Sequence, residues 1–401
     1  MAKRIIGMVA IGLLLLYFIT LILHISANQD QYMWDFRTHR EAAKIMASGA
    51  DPYDPEILFP NADTRFLYTY PPVTLWFYRL FSLADYKTAF HIFLVLKCIL
   101  LIGLVYFWKK EFLKKDAEPV FYIFCLLVFN SAVFLDMIAG NINLLEQVML
   151  WLAFSFYLRH RLILFCVFAL IAASFKMIPI FFLGLLLLSD DKKKYTYFWG
   201  SGAAFLAYLF IQYLVVPGLF AGFIRNAQVV VGEQGGVVPS TYKLIGDIFQ
   251  LIAKMTGATI PSAIQLSLVC AVAVVVIFLS YKAFVQLKHH KIKDRTMIKL
   301  FLVCLVYALI HPRFKDYMYL LLLVPSFYII KNTRYTKAAP FLYILFILSC
   351  NRMVLPVVSS LYEFIWAYYP LMVAYCVWGL FLYEIFAAAK DPKVKASSGR
   401  K

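Results

Sequence analysis

Two charged side chains of this 401-residue chain have the types and positions expected for group transfer at a membrane surface. Asp35 lies ten residues after the first long apolar segment, 5–25. Its carboxylate suits the N-cap of the helix predicted to follow, and it also suits a general base. Lys176 interrupts an otherwise apolar stretch, where an amine is costly and indicates a functional site by default. At the outer leaflet, its natural partner would be a phosphate or pyrophosphate group.

Further cations lie in the turn 311–317, between two apolar segments. His311, Arg313 and Lys315 are candidates to bind the same phosphate. Alternatively, Arg313 and Lys315 simply extend to the interface as snorkelling side chains. The positive-inside rule predicts few cations on the outer side of a membrane, which keeps the first interpretation open.

The turn 136–143 carries two amides, Asn141 and Asn143, after Gly140. Glycine and asparagine suit a tight turn, and that interpretation alone explains them. Functionally, the two amides could hydrogen-bond sugar hydroxyls. Glu146, one turn inside the next apolar segment, is harder to explain because a buried acid there needs a partner.

Several signatures are absent from the sequence. It has no Walker loop, no dinucleotide-binding glycine fingerprint, no His-Glu-x-x-His and no Asp-x-Asp pair. A soluble nucleotide-linked donor is therefore disfavoured, and no cofactor is expected. The net charge of +17 is not gathered on one folded domain, so a nucleic-acid partner is not expected either.

The composition of the chain predicts which secondary-structure elements position these residues. Apolar residues make up 63% of the chain, well above the share in soluble domains, and predict an all-α polytopic membrane protein. A single membrane domain, 1–401, is expected. Its first span follows Lys3 and Arg4 and is too long for a signal segment. We predict twelve spans, at 5–25, 88–108, 119–135, 143–158, 162–173, 177–188, 196–216, 261–287, 297–310, 317–330, 338–349 and 365–389.

Charge then orients the chain. With these spans, one side carries 23 Lys and Arg against 7 Asp and Glu, and the other side carries 13 of each. The basic side is expected to be cytoplasmic and to hold both termini, including the tail 390–401. The outer side holds two long segments, about 26–87 and 217–260. Elaborate outer segments over short inner turns predict that recognition takes place outside the cell membrane.

The first outer segment is expected to be structured. A helix is predicted from Asp35 to Ser48, stopped by Gly49, and a rigid turn at 51–55 follows it. Pro71 and Pro72 can open a further helix over 73–83, too short to span and expected to lie along the interface. The short segments 162–173 and 177–188 predict a hairpin with Lys176 at its turn.

Together these residues resemble a known family. The chain resembles family 87 of the GT-C glycosyltransferases in six motifs that follow the order found in that family. They are Asp35, Gly49-Ala-Asp51-Pro52-Tyr53, Tyr70-Pro71-Pro72, Gly140-Asn141-Ile-Asn143, Lys176-Met-Ile-Pro179, and His311-Pro312-Arg313 with Tyr317. The members of this family are the PimE-like mannosyltransferases, which depend on polyprenol-phosphate-mannose. The chain departs from the pattern at Gly140-Asn141, where Gly-Gln would be expected.

The resemblance implies a GT-C fold and transfer of a sugar from a polyprenyl phosphate to a lipid or glycan acceptor, with inversion and without a metal. Mannose is the implied sugar, with arabinofuranose or another pentose as alternatives. Asp35 would be the base, Lys176 with Arg313 or Lys315 would hold the donor phosphate, and three tyrosines would form a wall for the sugar ring, namely Tyr53, Tyr68 and Tyr70. The setting implied is the plasma (inner) membrane of a prokaryote.

A different class of function competes with this one. A transporter or lipid flippase would predict internal repeats, with broken helices at matching positions of two halves. The sequence shows one short helix pair and no second copy, and its candidate charges lie near one face of the membrane rather than at mid-span.

Overall fold

The computed structural model describes residues 2–64, 66–113, 119–229, 237–257, 260–289, 294–333, 336–348 and 360–390. Every regular element in these ranges is helical, which confirms the predicted all-α class. The tail beyond residue 390 and part of the segment 217–260 lie outside the described residues. The chain divides into two compact units, Met1–Glu111 with Phe134–Gly232, and Phe112–Val133 with Glu233–Lys401. The single domain 1–401 stays a prediction.

The first unit contains the structured outer segment and the hairpin. Its helices are α1 (Ala2–Ala27), α2 (Trp34–Ala47), α3 (Pro55–Ala62), α4 (Val73–Ser82), α5 (Tyr86–Trp108), the end of α6 (Pro119–Ala139), α7 (Asn143–Leu158), α8 (Leu162–Phe175), a 3₁₀ segment (Ile178–Leu188), α9 (Lys194–Val215) and α10 (Pro217–Val229). A π-helical turn, Lys109–Leu113, continues α5.

The second unit begins with most of α6, whose backbone leaves helical geometry at Val128–Ser131. Its other helices are α11 (Thr241–Thr256), α12 (Ser262–His289), α13 (Arg295–Ile310), a 3₁₀ segment (Asp316–Leu322), α14 (Leu323–Asn332), a 3₁₀ turn (Thr336–Ala338), α15 (Ala339–Ile347) and α16 (Ser360–Lys390). The second outer segment is therefore partly helical, since α10 and α11 both fall within 217–260.

Five helices in the described residues are long and apolar enough to cross a membrane: Tyr86–Leu113, Pro119–Ala139, Lys194–Val215, Ser262–Lys288 and Leu361–Ala388. Shorter apolar helices occur at Leu15–Ala27, Leu162–Phe175 and Ile178–Leu188. Large apolar side chains along α12 are exposed, as expected where a helix faces lipid. The protein is an integral membrane protein, and the count of twelve spans remains a prediction.

Local signals shape the first outer segment as expected. The helix predicted over 35–48 is α2, and Gly49 follows its C-cap in the left-handed region, at φ +86°. Asp54 caps α3 by accepting a hydrogen bond from the Glu56 N–H at 2.9 Å. Pro72 is the N-cap residue of α4, which confirms that the Pro-Pro pair opens a helix.

The predicted hairpin is also present. Helix α8 ends at Phe175, Lys176 adopts an extended backbone, and the following segment to Leu188 winds as a 3₁₀ helix. The 3₁₀ segment packs back against α8. Its turn places the Lys176 amine at the end of two short apolar helices.

Candidate active site

Asp35 lies in the first turn of α2 and does not cap it. The N-cap residue is Met33, whose backbone adopts the left-handed region and whose N–H donates to the Ile138 carbonyl at 2.6 Å. This bond fixes the start of α2 against the end of α6. The capping interpretation of Asp35 is therefore wrong, because Asp35 lies two positions after the N-cap residue, inside the helix. Its side chain is half-buried.

Asn141 orients the Asp35 carboxylate. Its Nδ2 donates to Asp35 Oδ2 at 2.6 Å and to the Tyr70 hydroxyl at 2.7 Å. Its Oδ1 accepts from the Asn143 N–H at 3.0 Å. Both amide hydrogens and the amide oxygen are engaged, and Asn141 is buried. In this structure the amide holds the acid and Tyr70, and its predicted contact with a sugar hydroxyl stays a prediction.

Gly140 allows this approach. Its φ is +67°, and a Cβ added to it would lie 2.7 Å from Met33 Cβ and 2.9 Å from Met33 Cα. The positions of Met33 Cα and Cβ are fixed by the backbone, so these atoms cannot make room without a shift of the chain. A residue without a side chain is therefore required for the turn to sit directly against the start of α2.

Lys97, which the sequence analysis did not single out, anchors the same turn from within α5. Its Nζ donates to the Asp136 carbonyl at 2.7 Å and to the Asn141 carbonyl at 2.8 Å, and pairs with Asp136 Oδ2 at 2.7 Å. The side chains of Lys97 and Asp136 are 1% and 0% exposed. Two hydrogen bonds and one ion pair thus hold the ammonium group of a lysine that cannot reach water.

A sequence signal for Lys97 did exist. It stands in the middle of the apolar run 88–108, and an ionisable residue at such a place indicates a functional or structural pairing. The same argument applies to Lys176.

Lys176 lies at the hairpin turn and contacts two residues of α7. Its Nζ is 3.2 Å from Glu146 Oε2 and 3.4 Å from Asn143 Oδ1. The Lys176 and Glu146 side chains are 10% and 2% exposed. The partner that a buried Glu146 requires is therefore Lys176. Lys97 is linked to the same set of residues, since it donates to the Asn141 carbonyl.

These contacts connect the predicted base and the predicted phosphate-binding amine within the first unit. Asp35 contacts Asn141, Asn141 accepts from Asn143, and Asn143 accepts from Lys176. We call the connected set the polar cluster. Its members are Asp35, Tyr70, Lys97, Asp136, Asn141, Asn143, Glu146 and Lys176.

The three tyrosines of the predicted sugar wall lie together beside this cluster. The Tyr53 and Tyr68 ring centroids are 5.3 Å apart, and those of Tyr68 and Tyr70 are 5.9 Å apart. The Tyr53 hydroxyl donates to the Tyr70 carbonyl at 2.7 Å, and Tyr68 hydrogen-bonds Thr74. Burial raises the pKa of both the Tyr53 and Tyr68 phenols far above the usual range, so both remain neutral.

Burial also limits what these rings can contact. Tyr53 and Tyr68 are fully buried, whereas Tyr70 is partly exposed. Of these three rings, Tyr70 alone has surface to offer a ligand in this structure. A sugar contact by the other two would require the outer segment to open, and it stays a prediction.

His39 is a second residue that the sequence analysis did not select. It lies one helical turn after Asp35 on α2, and its ring centroid is 4.5 Å from that of Tyr70 and 4.7 Å from that of Tyr78. His39 is buried and packs against the ring of Tyr70, which is a member of the polar cluster.

The remaining predicted residues belong to the second unit. His311 Nδ1 accepts a hydrogen bond from the Arg313 N–H at 3.0 Å, and Lys315 Nζ lies 5.8 Å from the centroid of the Tyr317 ring. Ser240 Oγ donates to the Pro312 carbonyl at 2.6 Å, which holds this turn within its own unit. The turn thus brings His311, Arg313 and Lys315 together, and their binding of a phosphate stays a prediction.

The described residues contain no group of three or more His, Cys, Asp or Glu side chains that could hold a metal ion. What the polar cluster offers is a half-buried carboxylate, two buried amine–carboxylate pairs and amides between them. This arrangement suits acid–base chemistry, with the Lys176 amine as the group that could meet an anion.

Comparison with known families decides the class of this site. The profile of glycosyltransferase family 87 matches residues 68–312, more than half of the chain. The chain belongs to glycosyltransferase family 87. It is therefore an enzyme, a membrane glycosyltransferase, and the transporter alternative is set aside. No curated protein matches the chain in a sequence search.

The range matched by family 87 covers most of the polar cluster, from Tyr70 to Lys176, and also His311. Asp35, Tyr53, Arg313 and Lys315 lie outside it. A role for Asp35 in this glycosyltransferase consequently depends on its geometry and not on the matched range.

Proposed function

We propose that this family 87 enzyme moves a sugar from a polyprenyl phosphate to a hydroxyl group of a lipid or glycan acceptor. The reaction takes place on the extracytoplasmic face, proceeds with inversion, and uses Asp35 as general base. One observation carries the proposal: Asp35 and Lys176 belong to one connected polar cluster, although the sequence separates them widely.

Asp35 has the geometry of a base. Asn141 fixes its Oδ2, and within the part of the chain that the structure describes Oδ1 has no protein hydrogen bond, so Oδ1 is directed to the acceptor hydroxyl. The acceptor oxygen attacks the anomeric carbon from the face opposite the phosphate. Asp35 takes the proton of the hydroxyl as this bond forms, which raises the nucleophilicity of the oxygen.

Lys176 has the position of a phosphate-binding cation. The anomeric C–O bond breaks with its electron pair moving to the phosphate, so the departing polyprenyl phosphate gains negative charge. An ammonium group in a site that is largely closed to water stabilises that charge more strongly than it would in water. The 10% exposure of Lys176 leaves it a small accessible surface for this contact.

Mannose is the proposed sugar, following the family resemblance, with a pentose such as arabinofuranose as the alternative. The charge distribution supports the side of the membrane, since the excess of lysine and arginine falls on the segments assigned to the cytoplasm. Both termini are then cytoplasmic, and a prokaryotic plasma membrane suits a polyprenyl-linked donor.

The test is Asp35→Asn in a transfer assay with membranes containing the enzyme and a labelled polyprenyl phosphate sugar. We expect transfer to fall by about 10²–10⁴-fold, with donor binding retained, because the amide cannot accept the proton. Asp30→Asn is the matched control, since Asp30 is an exposed acid in the same segment. Near-normal turnover of Asp35→Asn would contradict the assignment.

A further inference from the structure

The pairing of Lys176 with Glu146 has a consequence for ligand binding. The amine proposed to hold the donor phosphate already has a carboxylate partner at 3.2 Å inside the protein. Glu146 lies on the first turn of α7 and is 2% exposed on its side chain, so water does not screen it. Any phosphate that binds Lys176 must compete with this carboxylate.

The neighbouring charges cannot take over the role of Lys176. Lys97 is the other buried amine of the polar cluster, and it is held by hydrogen bonds to the carbonyls of Asp136 and Asn141 and by its ion pair with the Asp136 carboxylate. The two amines and the carboxylates of Asp136 and Glu146 balance in charge, and Asp35 adds a further negative charge. The polar cluster therefore holds no excess of positive charge for an anion.

We propose that Glu146 is an internal competitor that limits the affinity of Lys176 for phosphate and thereby favours release of the polyprenyl phosphate product. This inference rests on the proposed function of Lys176. The donor is a phosphodiester with one negative charge. The product is a monoester with a charge of about −1.5 to −2 at neutral pH, so an unopposed amine would hold the product more tightly than the donor.

The Glu146 carboxylate offsets this preference in two ways. It repels the more highly charged product, and it pairs again with the Lys176 amine after transfer. A close charge pair in a buried site has a large coupling energy, so removing the competitor should be clearly measurable. Glutamine at position 146 keeps the shape of glutamate and can still accept a hydrogen bond from Lys176.

The experiment measures binding of decaprenyl monophosphate to the purified full-length enzyme in detergent. Four variants are compared with the original chain: Glu146→Gln, Lys176→Gln, the double variant, and Asp136→Asn. Glu146→Gln should tighten binding by about tenfold or more. In the Lys176→Gln background the same change should have almost no effect, because no amine remains to compete for.

Asp136→Asn is the matched control, since it removes a neighbouring buried carboxylate whose partner is Lys97. It should tighten binding by less than about threefold, as expected for a charge that is not the direct partner of Lys176. If Asp136→Asn tightened binding of decaprenyl monophosphate as much as Glu146→Gln does, the proposed competition between Glu146 and phosphate for Lys176 would be overturned. The effect would then be a general electrostatic one. In the double variant both charges become amides that can still hydrogen-bond each other, so neither residue is left as an unpaired buried charge. It therefore shows whether a loss of binding in a single variant comes from a folding defect.

Two failures are distinguishable. If Lys176→Gln leaves binding of decaprenyl monophosphate unchanged, the proposed phosphate site itself is wrong. If Lys176→Gln weakens binding but Glu146→Gln does not strengthen it, the phosphate site stands and the role of Glu146 as a competitor is overturned.

Discussion

Asn141 Nδ2 lies 2.6 Å from Asp35 Oδ2, and this bond joins the turn after α6 to the first turn of α2. The same nitrogen donates to the Tyr70 hydroxyl, so one amide positions both an acid and a partly exposed ring. The Asp35 carboxylate thereby gains a fixed orientation that a side chain on an isolated helix would lack. Orientation of this kind is a large part of what an active site provides.

Asn141→Ala should lower kcat by about ten- to a hundredfold, because Asp35 loses the donor that fixes its orientation. Binding of the polyprenyl phosphate donor should change little. A transfer assay that separates kcat from KM checks this. Asn61→Ala is the matched control, since the Asn61 side chain is exposed and bonds only the Ile57 carbonyl of its own helix among the described contacts. An unchanged kcat for Asn141→Ala would show that the bond does not serve catalysis.

Gly140→Ala should destabilise the protein and reduce transfer together. The left-handed backbone alone disfavours alanine by about 1–2 kcal/mol, and the contact with Met33 adds about 1–3 kcal/mol of overpacking. Gly49→Ala is the matched control, because Gly49 has φ +86° but nothing within 4 Å of an added Cβ. Thermal unfolding in detergent should show the larger loss for Gly140→Ala. Equal losses would mean that the Met33 contact is unimportant.

Lys97→Met should destabilise the protein by about 3–5 kcal/mol, because the Asp136 carboxylate is left buried without its partner. Lys87→Met, at an exposed lysine on the same helix, should have little effect. The unfolding temperatures of the two variants provide the measurement. Adding Asp136→Asn to Lys97→Met should recover part of the loss, since the uncompensated charge is then gone. A Lys97→Met variant as stable as the original chain would contradict the structural importance of the pair.

Gly222→Ala should weaken the packing of α10 on the first outer segment. An added Cβ would lie 2.7 Å from Tyr53 Cβ, so the helix has to shift, at a cost of about 1–3 kcal/mol. The shift would strain Asn226, whose Nδ2 donates to the Tyr53 carbonyl at 2.8 Å and to the Tyr68 carbonyl at 3.1 Å.

Limited proteolysis of the outer segment measures this weakening, and we expect faster cleavage of Gly222→Ala. Gly218→Ala on the same helix meets nothing within 4 Å and should be neutral or stabilising by up to about 1 kcal/mol, as alanine favours a helix over glycine. Unchanged cleavage of Gly222→Ala would indicate that α10 accommodates the methyl group freely.

Features that depend on neighbouring residues were predictable from the sequence. The apolar runs predict membrane helices, and helices α2 and α4 begin and end near the expected Asp35, Gly49 and Pro72. Length, apolarity and capping act within a few positions of the chain, so their outcome needs no knowledge of distant residues. The choice of Asp35 and Lys176 as candidates came from the same local reasoning about charge beside apolar segments.

Tertiary structure alone decided which side chains meet. Asp35 takes its orientation from Asn141, Lys97 anchors the turn of Asn141, and Lys176 pairs with Glu146, all across long stretches of sequence. No local pattern specifies such pairs, because each depends on how separate helices pack and on which buried charge most needs a partner. The sequence by itself determined a helical membrane protein with its candidate charges, and packing decided which of those charges face one another.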